Sequence, residues 1–353
     1  MKESLHTPII DLLGCRYPIV QTAMGWVARP ELVAASCNAG AFGFLAAASL
    51  RAEEVGPAID QVRKLTDQPF GVNFHMFQPG AAKIVDTLIS AQVKAVSFGR
   101  GPDQSMIARF REAGTVCMPT VGAVRHAQKM VSLGVDALTI QGSEGGGHTG
   151  SVPTTILLPQ VLDAVQVPVL AAGGFFDGRG LAAALAFGAA GIAMGTRFLM
   201  TSDCPVPNVT KGRYVEAGLD DIVLTQRLDG LQHRLIRNEV LAAIEHAGPI
   251  RLLINALQNA LRLKSLSGAR FVDLLRAARD MQRDGGISFG QALMAANSPV
   301  LIERSMIQGR PDQGVMSTGL VAGIIKDLPT CVELIDRIVH DAQKRLQILS
   351  KGV

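Results

Sequence analysis

Between residues 17 and 200 the chain alternates short apolar runs with amphipathic stretches, and nothing else in it limits the fold so tightly. The runs lie at 19–21, 42–45, 70–74, 95–98, 116–120, 137–141, 167–172 and 191–195. Each is short and apolar throughout, as expected of a strand covered on both faces. Their ends recur about every 21 to 31 residues, and stretches of helical spacing such as 82–91, 104–113 and 123–133 fill the gaps. Several helices close on glycine just before the next run, at Ala39-Gly40, Ala113-Gly114, Leu133-Gly134 and Phe187-Gly188. That is how a βα unit turns back into its sheet. Eight such units predict a closed parallel (β/α)8 barrel, the TIM-barrel architecture. An open doubly wound sheet is the alternative. It normally carries Gly-x-Gly-x-x-Gly after its first strand, where this chain reads Gln21-Thr22-Ala23-Met24-Gly25-Trp26.

After residue 202 the alternation stops. Residues 203–310 show no strand period, and 240–246, 250–261 and 271–282 read as amphipathic helices with Arg and Lys on one side. The expected organisation is a barrel formed by residues 1–202 and 311–353, with a helical subdomain, 203–310, attached after strand eight. A long amphipathic helix at 328–349 would close the barrel wall.

Composition agrees. Among 353 residues, 48% are hydrophobic and 18% charged, enough for a large core, and 37 glycines with only 5% aromatics suit a glycine-punctuated α/β protein. A net charge of +4 is too small to argue for nucleic acid. The excess falls between Lys211 and Arg310, with 14 Lys and Arg against 10 Asp and Glu. It marks either a solvated helical face or a mildly basic rim for an anionic substrate. Cys15, Cys37, Cys117, Cys204 and Cys331 are scattered without metal-ligand spacing, which predicts reduced thiols, no metal site and a cytoplasmic protein. Met1-Lys2-Glu3-Ser4 carries no apolar signal region. Residues 32–50 lack charge, but Asn38, Gly40 and Gly43 divide them into a helix-like and a strand-like half, so no membrane span is expected.

Ligands of a parallel barrel sit at the carboxyl ends of its strands. The sixth run ends in Gln141-Gly142-Ser143-Glu144-Gly145-Gly146-Gly147-His148-Thr149-Gly150. Glycines at that density, Gly145 and Gly146 included, let the backbone approach a ligand closely. His148 is the one side chain there that exchanges protons near neutral pH, as a base toward a substrate carbon or as a donor to an oxyanion. Glu144 either orients it or caps the loop. Gly173-Gly174 and Gly195-Thr196 end successive strands, the seventh and eighth, where barrel phosphate sites recur; tight turns would need the same glycines. Asn73 and Gln141 are amides placed to read a flat heterocycle, and Met24-Gly25 offers an apolar face with bare backbone. Trp26, His75 and Phe77 are candidates for the substrate wall. His6, His126, His233, His246 and His340 read as surface residues of helices or termini.

In combination, Gln21-x-x-Met24-Gly25, Gly71-Val72-Asn73, the loop from Gln141 to Gly150, Ala171-Ala172-Gly173-Gly174 and Met194-Gly195-Thr196-Arg197-Phe198 resemble the nitronate monooxygenase (2-nitropropane dioxygenase) family. These are FMN-dependent TIM-barrel enzymes, a group that includes bacterial flavin-dependent enoyl-acyl-carrier reductases. The resemblance implies FMN phosphate on Gly173, Gly174, Gly195 and Thr196. It puts Asn73, Gln141 and the Met24-Gly25 backbone near the isoalloxazine, and makes His148 the catalytic base. After strand four the chain reads Ser97-Phe98-Gly99-Arg100, where family members with nitronate activity tend to carry a His-Phe-Gly-type turn. Pro18 to Thr22, Gly173 to Gly180 and Leu293 to Asn297 are more similar to another branch, whose flavin enzyme of bacterial steroid C/D-ring breakdown oxidises a bicyclic acyl-CoA thioester at its α,β-carbons. The first functional expectation is therefore base-assisted oxidation of a carbon acid of nitronate monooxygenase type, with oxygen or another acceptor taking the electrons. The second is a dehydrogenase or enoyl reductase of CoA thioesters, with NAD(P)H or another redox partner. A non-redox barrel that binds a phosphate ligand is the third.

Overall fold

The computed structural model describes residues 5–76, 78–99, 104–248 and 297–351. The expected helices at 250–261 and 271–282 lie outside them, as do Phe77 and Arg100. The chain divides into two compact units: residues 1–145, 149–205 and 325–353 form the first, and residues 146–148 and 206–324 the second.

The first unit is the parallel barrel. Its strands are β1 (Ile19–Gln21), β2 (Phe42–Ala46), β3 (Gly71–His75), β4 (Ala95–Gly99), β5 (Val116–Cys117), β6 (Thr120–Val121), β7 (Leu138–Gln141), β9 (Val169–Ala172) and β10 (Gly191–Met194). The order is β5-β4-β3-β2-β1-β10-β9-β7-β6, parallel at every pairing. The fifth strand, expected as one run, is broken into β5 and β6 because Pro119 has no N–H to give a ladder. Met118 still donates to Val96 and Thr139 to the Pro119 carbonyl, so the broken strand bonds both neighbours and closes the sheet on itself.

Burial explains why these runs are strands. Val20, Phe42, Phe44, Ala95, Met118, Leu170 and Ala193 share one core cluster. Phe42 and Phe44 meet edge to face at 5.2 Å, and the Phe44 ring lies over Gly71, where a side chain would collide with it. The four expected helix-closing glycines, Gly40, Gly114, Gly134 and Gly188, all have φ between 75° and 97°, a region costly for any residue with a Cβ. Residues 32–50 form the tail of the helix Pro30–Asn38 and then β2, and no described helix is long and apolar enough to cross a membrane.

The C-terminal helix, Cys331–Ser350, begins on a Thr330–Glu333 capping box and packs against the helix Gly178–Ala186. Their contact depends on Gly178, since a Cβ there would stand 2.5 Å from the Ile338 carbonyl oxygen and 2.6 Å from the Ala342 nitrogen. Backbone cannot yield as a side chain can. Gly178→Ala is expected to cost about 1–3 kcal/mol, read as a lower urea midpoint with an unchanged slope; a wild-type midpoint would mean that the helices separate freely.

The second unit corrects the expectation of helices and loops alone. It holds a four-stranded antiparallel sheet of β8 (Gly147–His148), β11 (Ile222–Thr225), β12 (His233–Ile236) and β13 (Met316–Ser317). β12 is central: β11 lies along one edge, and β13 and β8 follow end to end along the other. Leu228, Leu235, Leu241, Leu301 and Val315 form its core, and the buried Tyr214 hydroxyl donates to the Ser317 carbonyl at 2.7 Å. The helix Glu239–Glu245 matches the expected 240–246 and is capped by Asn238, whose side chain accepts from Leu241 N–H.

Candidate active site

In the barrel unit, five strands carry the expected ligand-facing residues at or near their carboxyl ends. β9 runs buried to Ala172 and then enters Gly173 and Gly174, whose φ values of 97° and 86° only glycine adopts without strain. The Gly174 N–H donates to no acceptor among the described residues. A Cβ on Gly173 would meet the Thr154 hydroxyl at 3.0 Å and the Gly142 carbonyl oxygen at 3.2 Å, so this glycine is also a packing point. The helix that follows offers no vacant N-terminus, because Asp177 accepts from the N–H groups of Arg179 and Gly180.

Gly195 follows the end of β10, beside the loop after β1. A Cβ there would reach the Thr22 hydroxyl at 3.2 Å and the Met24 sulfur at 3.3 Å. Thr196 opens a short helix, while the next residue, Arg197, is buried and bonded to Asp327 and the Met200 carbonyl. A Cβ on Gly25 would meet nothing within 4 Å, so the backbone at Met24-Gly25 has open space before it. Trp26 follows at φ 62°, unusual for a bulky residue, with its N–H donated to the Ser49 hydroxyl.

Asn73 lies in the middle of β3, two residues before its end, and donates its amide to the Ser97 carbonyl and hydroxyl at 3.1 and 3.0 Å. Gln141 ends β7 half-buried, and its side chain lies against Gly145, where a Cβ would come within 2.7 Å. His75 is half-buried, with its N–H on the Gln78 side chain. Glu144 settles as a brace: its carboxylate accepts from Thr154 N–H at 3.0 Å and from the Thr154 hydroxyl at 2.8 Å.

His148 belongs to the second unit. Gly146 there packs against the backbone of Thr318 and Gly319, and Gly147-His148 pairs as β8 with β12. His148 stands directly opposite His233, their rings 4.6 Å apart. Between them is Asp229, a residue absent from the expected site. Its Oδ2 accepts from His148 Nε2 at 2.9 Å, from His233 Nδ1 at 3.3 Å and from the Ser298 hydroxyl at 2.7 Å, while Oδ1 accepts from Leu231 N–H at 3.2 Å. His233 Nε2 lies 2.8 Å from the Ser317 hydroxyl.

The placement of His233 is a correction. Expected at the surface, it is only 2% exposed, on a strand whose four residues are all buried. Asp229 is equally buried, while the His148 side chain is 51% exposed. Two imidazoles and a carboxylate are also a donor set that metals use. Here one oxygen is already shared by three hydrogen-bond donors. A residual signal for the arrangement was Asp229-Gly230, a hairpin dipeptide between two short apolar runs.

Burial disfavours the imidazolium of His233 and holds its pKa below the ordinary value; the Asp229 bond opposes this, and charge on His148 reinforces it. Burial pushes the Asp229 pKa up, but the bonds from His148, His233 and Ser298 outweigh it and hold the carboxyl far below the usual range. Both groups then act in one direction. Unfolding lets His233 take a proton below about pH 6.5 and Asp229 below about pH 3.9, protons the native state refuses. Stability is expected to be full above pH 6.5 and to fall in two stages as the pH drops. Urea midpoints measured from neutral to acid pH test this; a flat profile would contradict it.

Comparison with known proteins identifies the family. The nitronate monooxygenase family model matches residues 6–87 and 76–341. A Mycobacterium tuberculosis (strain ATCC 25618 / H37Rv) protein described as (3aS,4S,5R,7aS)-5-hydroxy-7a-methyl-1-oxo-octahydro-1H-indene-4-carboxyl-CoA dehydrogenase is 48% identical over 349 residues, 98% of each chain. Its namesake from Rhodococcus jostii (strain RHA1) is 46% identical over 347 residues, again 98% of each. The structure of FabK from Thermotoga maritima matches with a TM-score of 0.80 at 29% identity, covering 99% of this chain and 100% of that one. The chain is an oxidoreductase and belongs to the nitronate monooxygenase family.

Proposed function

We propose that the protein is an FMN-dependent dehydrogenase that oxidises a carbon acid, and that its substrate is a CoA thioester of a bicyclic carboxylic acid. The carrying observation is the Gly173-Gly174 pair itself, two glycines at positive φ where β9 ends, with the Gly174 N–H donated to no acceptor among the described residues. It fits the phosphate of a flavin nucleotide, with Gly195 and Thr196 on the next strand as its second contact. Met24-Gly25, Asn73, Gln141, Gly145 and Gly146 would border the ring system, and Trp26 and His75 the substrate.

FMN, when bound, supplies the electron acceptor; this chain's residues must orient the substrate and manage its proton. His148 is the base. It removes the proton α to the thioester, and the hydride leaving the β-carbon completes a two-electron oxidation to the α,β-unsaturated thioester. Oxygen or another acceptor would take the electron pair onward. The choice of thioester rests on two relatives of that substrate class that align over 98% of this chain. The basic excess between Lys211 and Arg310 suits the phosphates of CoA.

Oxidation of a nitronate is the second reading, favoured by the family model itself. A screen of anaerobic flavin bleaching separates the readings. Bleaching by a bicyclic carboxyl-CoA but not by an alkyl nitronate supports the dehydrogenase. The reverse pattern supports the monooxygenase, and a protein that stays colourless after incubation with FMN would leave only a non-redox barrel.

A further inference from the structure

We propose that Thr154 is a positioning residue for the cofactor phosphate: its hydroxyl holds the Gly173 carbonyl, and through that peptide plane it aims the Gly174 N–H at the anion. The inference rests on the reading of Gly173-Gly174 as the phosphate site.

A planar trans peptide points its C=O and its N–H in opposite directions. The Gly173 carbonyl and the Gly174 N–H belong to one such unit, since no peptide bond among the described residues is cis. Whatever grips the carbonyl therefore decides where the N–H faces. The Thr154 hydroxyl donates to that carbonyl at 3.0 Å. At the opposite end of the plane, the Gly174 N–H donates to no acceptor among the described residues. Two glycines, at φ 97° and 86°, have no side chain of their own to fix the plane, so the hold must come from outside the pair.

Thr154 is itself well held. It is 4% exposed, opens the helix Thr154–Ala164 and carries a β-branched side chain with few rotamers. Glu144 accepts its N–H on both carboxylate oxygens, at 3.1 and 3.0 Å, and its hydroxyl at 2.8 Å. The single hydroxyl proton is shared between Glu144 and the carbonyls of Gly173 and, at 3.3 Å, Ala172. Gly142 leaves the room for this, because a Cβ there would overlap the Thr154 hydroxyl. Glu144 turns its charge toward Thr154 and its stem toward the glycines: a Cβ on Gly174 would stand 3.7 Å from Glu144 Cβ and 3.8 Å from its Cγ.

The test compares FMN with riboflavin, which lacks the phosphate, on the full chain stripped of flavin and reloaded, with binding read from flavin fluorescence. The wild type is expected to bind FMN more tightly than riboflavin. Thr154→Val keeps the shape and loses the hydroxyl. Its FMN affinity is expected to fall about 10- to 100-fold, as for one lost hydrogen bond to a charged group, while its riboflavin affinity stays at the wild-type value. Thr154→Ser, which keeps the hydroxyl, is expected to retain the FMN preference. Should Thr154→Val fail to fold, Thr154→Ala removes the same hydroxyl without crowding and is expected to show the same selective loss. A variant lacking the hydroxyl that keeps the wild-type preference for FMN, or that loses both flavins alike, overturns the inference, since a brace of the fold alone does not discriminate the phosphate. Failure of the phosphate reading looks different: the wild type itself would bind riboflavin as tightly as FMN, and the inference would fall with it.

Discussion

His148→Asn is expected to remain yellow while its flavin is reduced at least tenfold more slowly by a neutral carbon acid, about 1.4 kcal/mol of added barrier. The lower bound is conservative, since a positioned general base typically contributes about 10²–10⁴-fold. Asparagine keeps the polarity of the site and an amide that can reach Asp229, but it cannot take a proton. The proposed phosphate contacts lie at the ends of β9 and β10, away from position 148 in sequence, so cofactor content is expected to stay at the wild-type level. Stopped-flow reduction under nitrogen separates the two quantities. An unchanged rate constant would remove His148 from the chemistry.

Gly173→Val is expected to have the second largest effect: a protein purified with under about a tenth of the wild-type flavin. Two costs add at this position. A β-branched residue at φ 97° is strained by about 1–3 kcal/mol. Its Cβ would also press on the Thr154 hydroxyl at 3.0 Å and the Gly142 carbonyl at 3.2 Å. The strand end must shift to relieve them, moving the glycine pair away from where the phosphate would sit. Flavin content measured after heat release, alongside the circular dichroism spectrum, distinguishes loss of the site from loss of the fold. Full flavin occupancy in a folded variant would reduce the glycine pair to a simple turn.

Most of the barrel was legible because of how its strands are buried. Strands covered on both faces need no polar alternation, so β2, β7, β9 and β10 stand out as apolar runs bounded by glycine. Their boundaries move by a residue or two at most, apart from the fifth, where Pro119 interrupts the ladder. The base candidate was also legible, as one histidine among glycines at a strand end. Its partners were not. Asp229 lies 81 residues further along the chain, beyond any local pattern, and Glu144 four residues away looks like the better match until its bonds to Thr154 are seen. β11 and β12 are four residues each, too short for a period to emerge, and β12 buries His233 and Arg234, which read as surface residues in a sequence. A polar residue buried by its own hydrogen bonds leaves no hydropathy signal.

On the proposed reading this chain holds FMN and passes to it an electron pair from the α,β-carbons of a CoA thioester. Anaerobic titration of the purified protein with a saturated bicyclic carboxyl-CoA, followed by flavin absorbance, decides it. The expected result is full bleaching with about one unsaturated thioester formed per flavin, since each flavin takes one electron pair. A flavin that stays oxidised in excess thioester, yet bleaches with an alkyl nitronate, would contradict it.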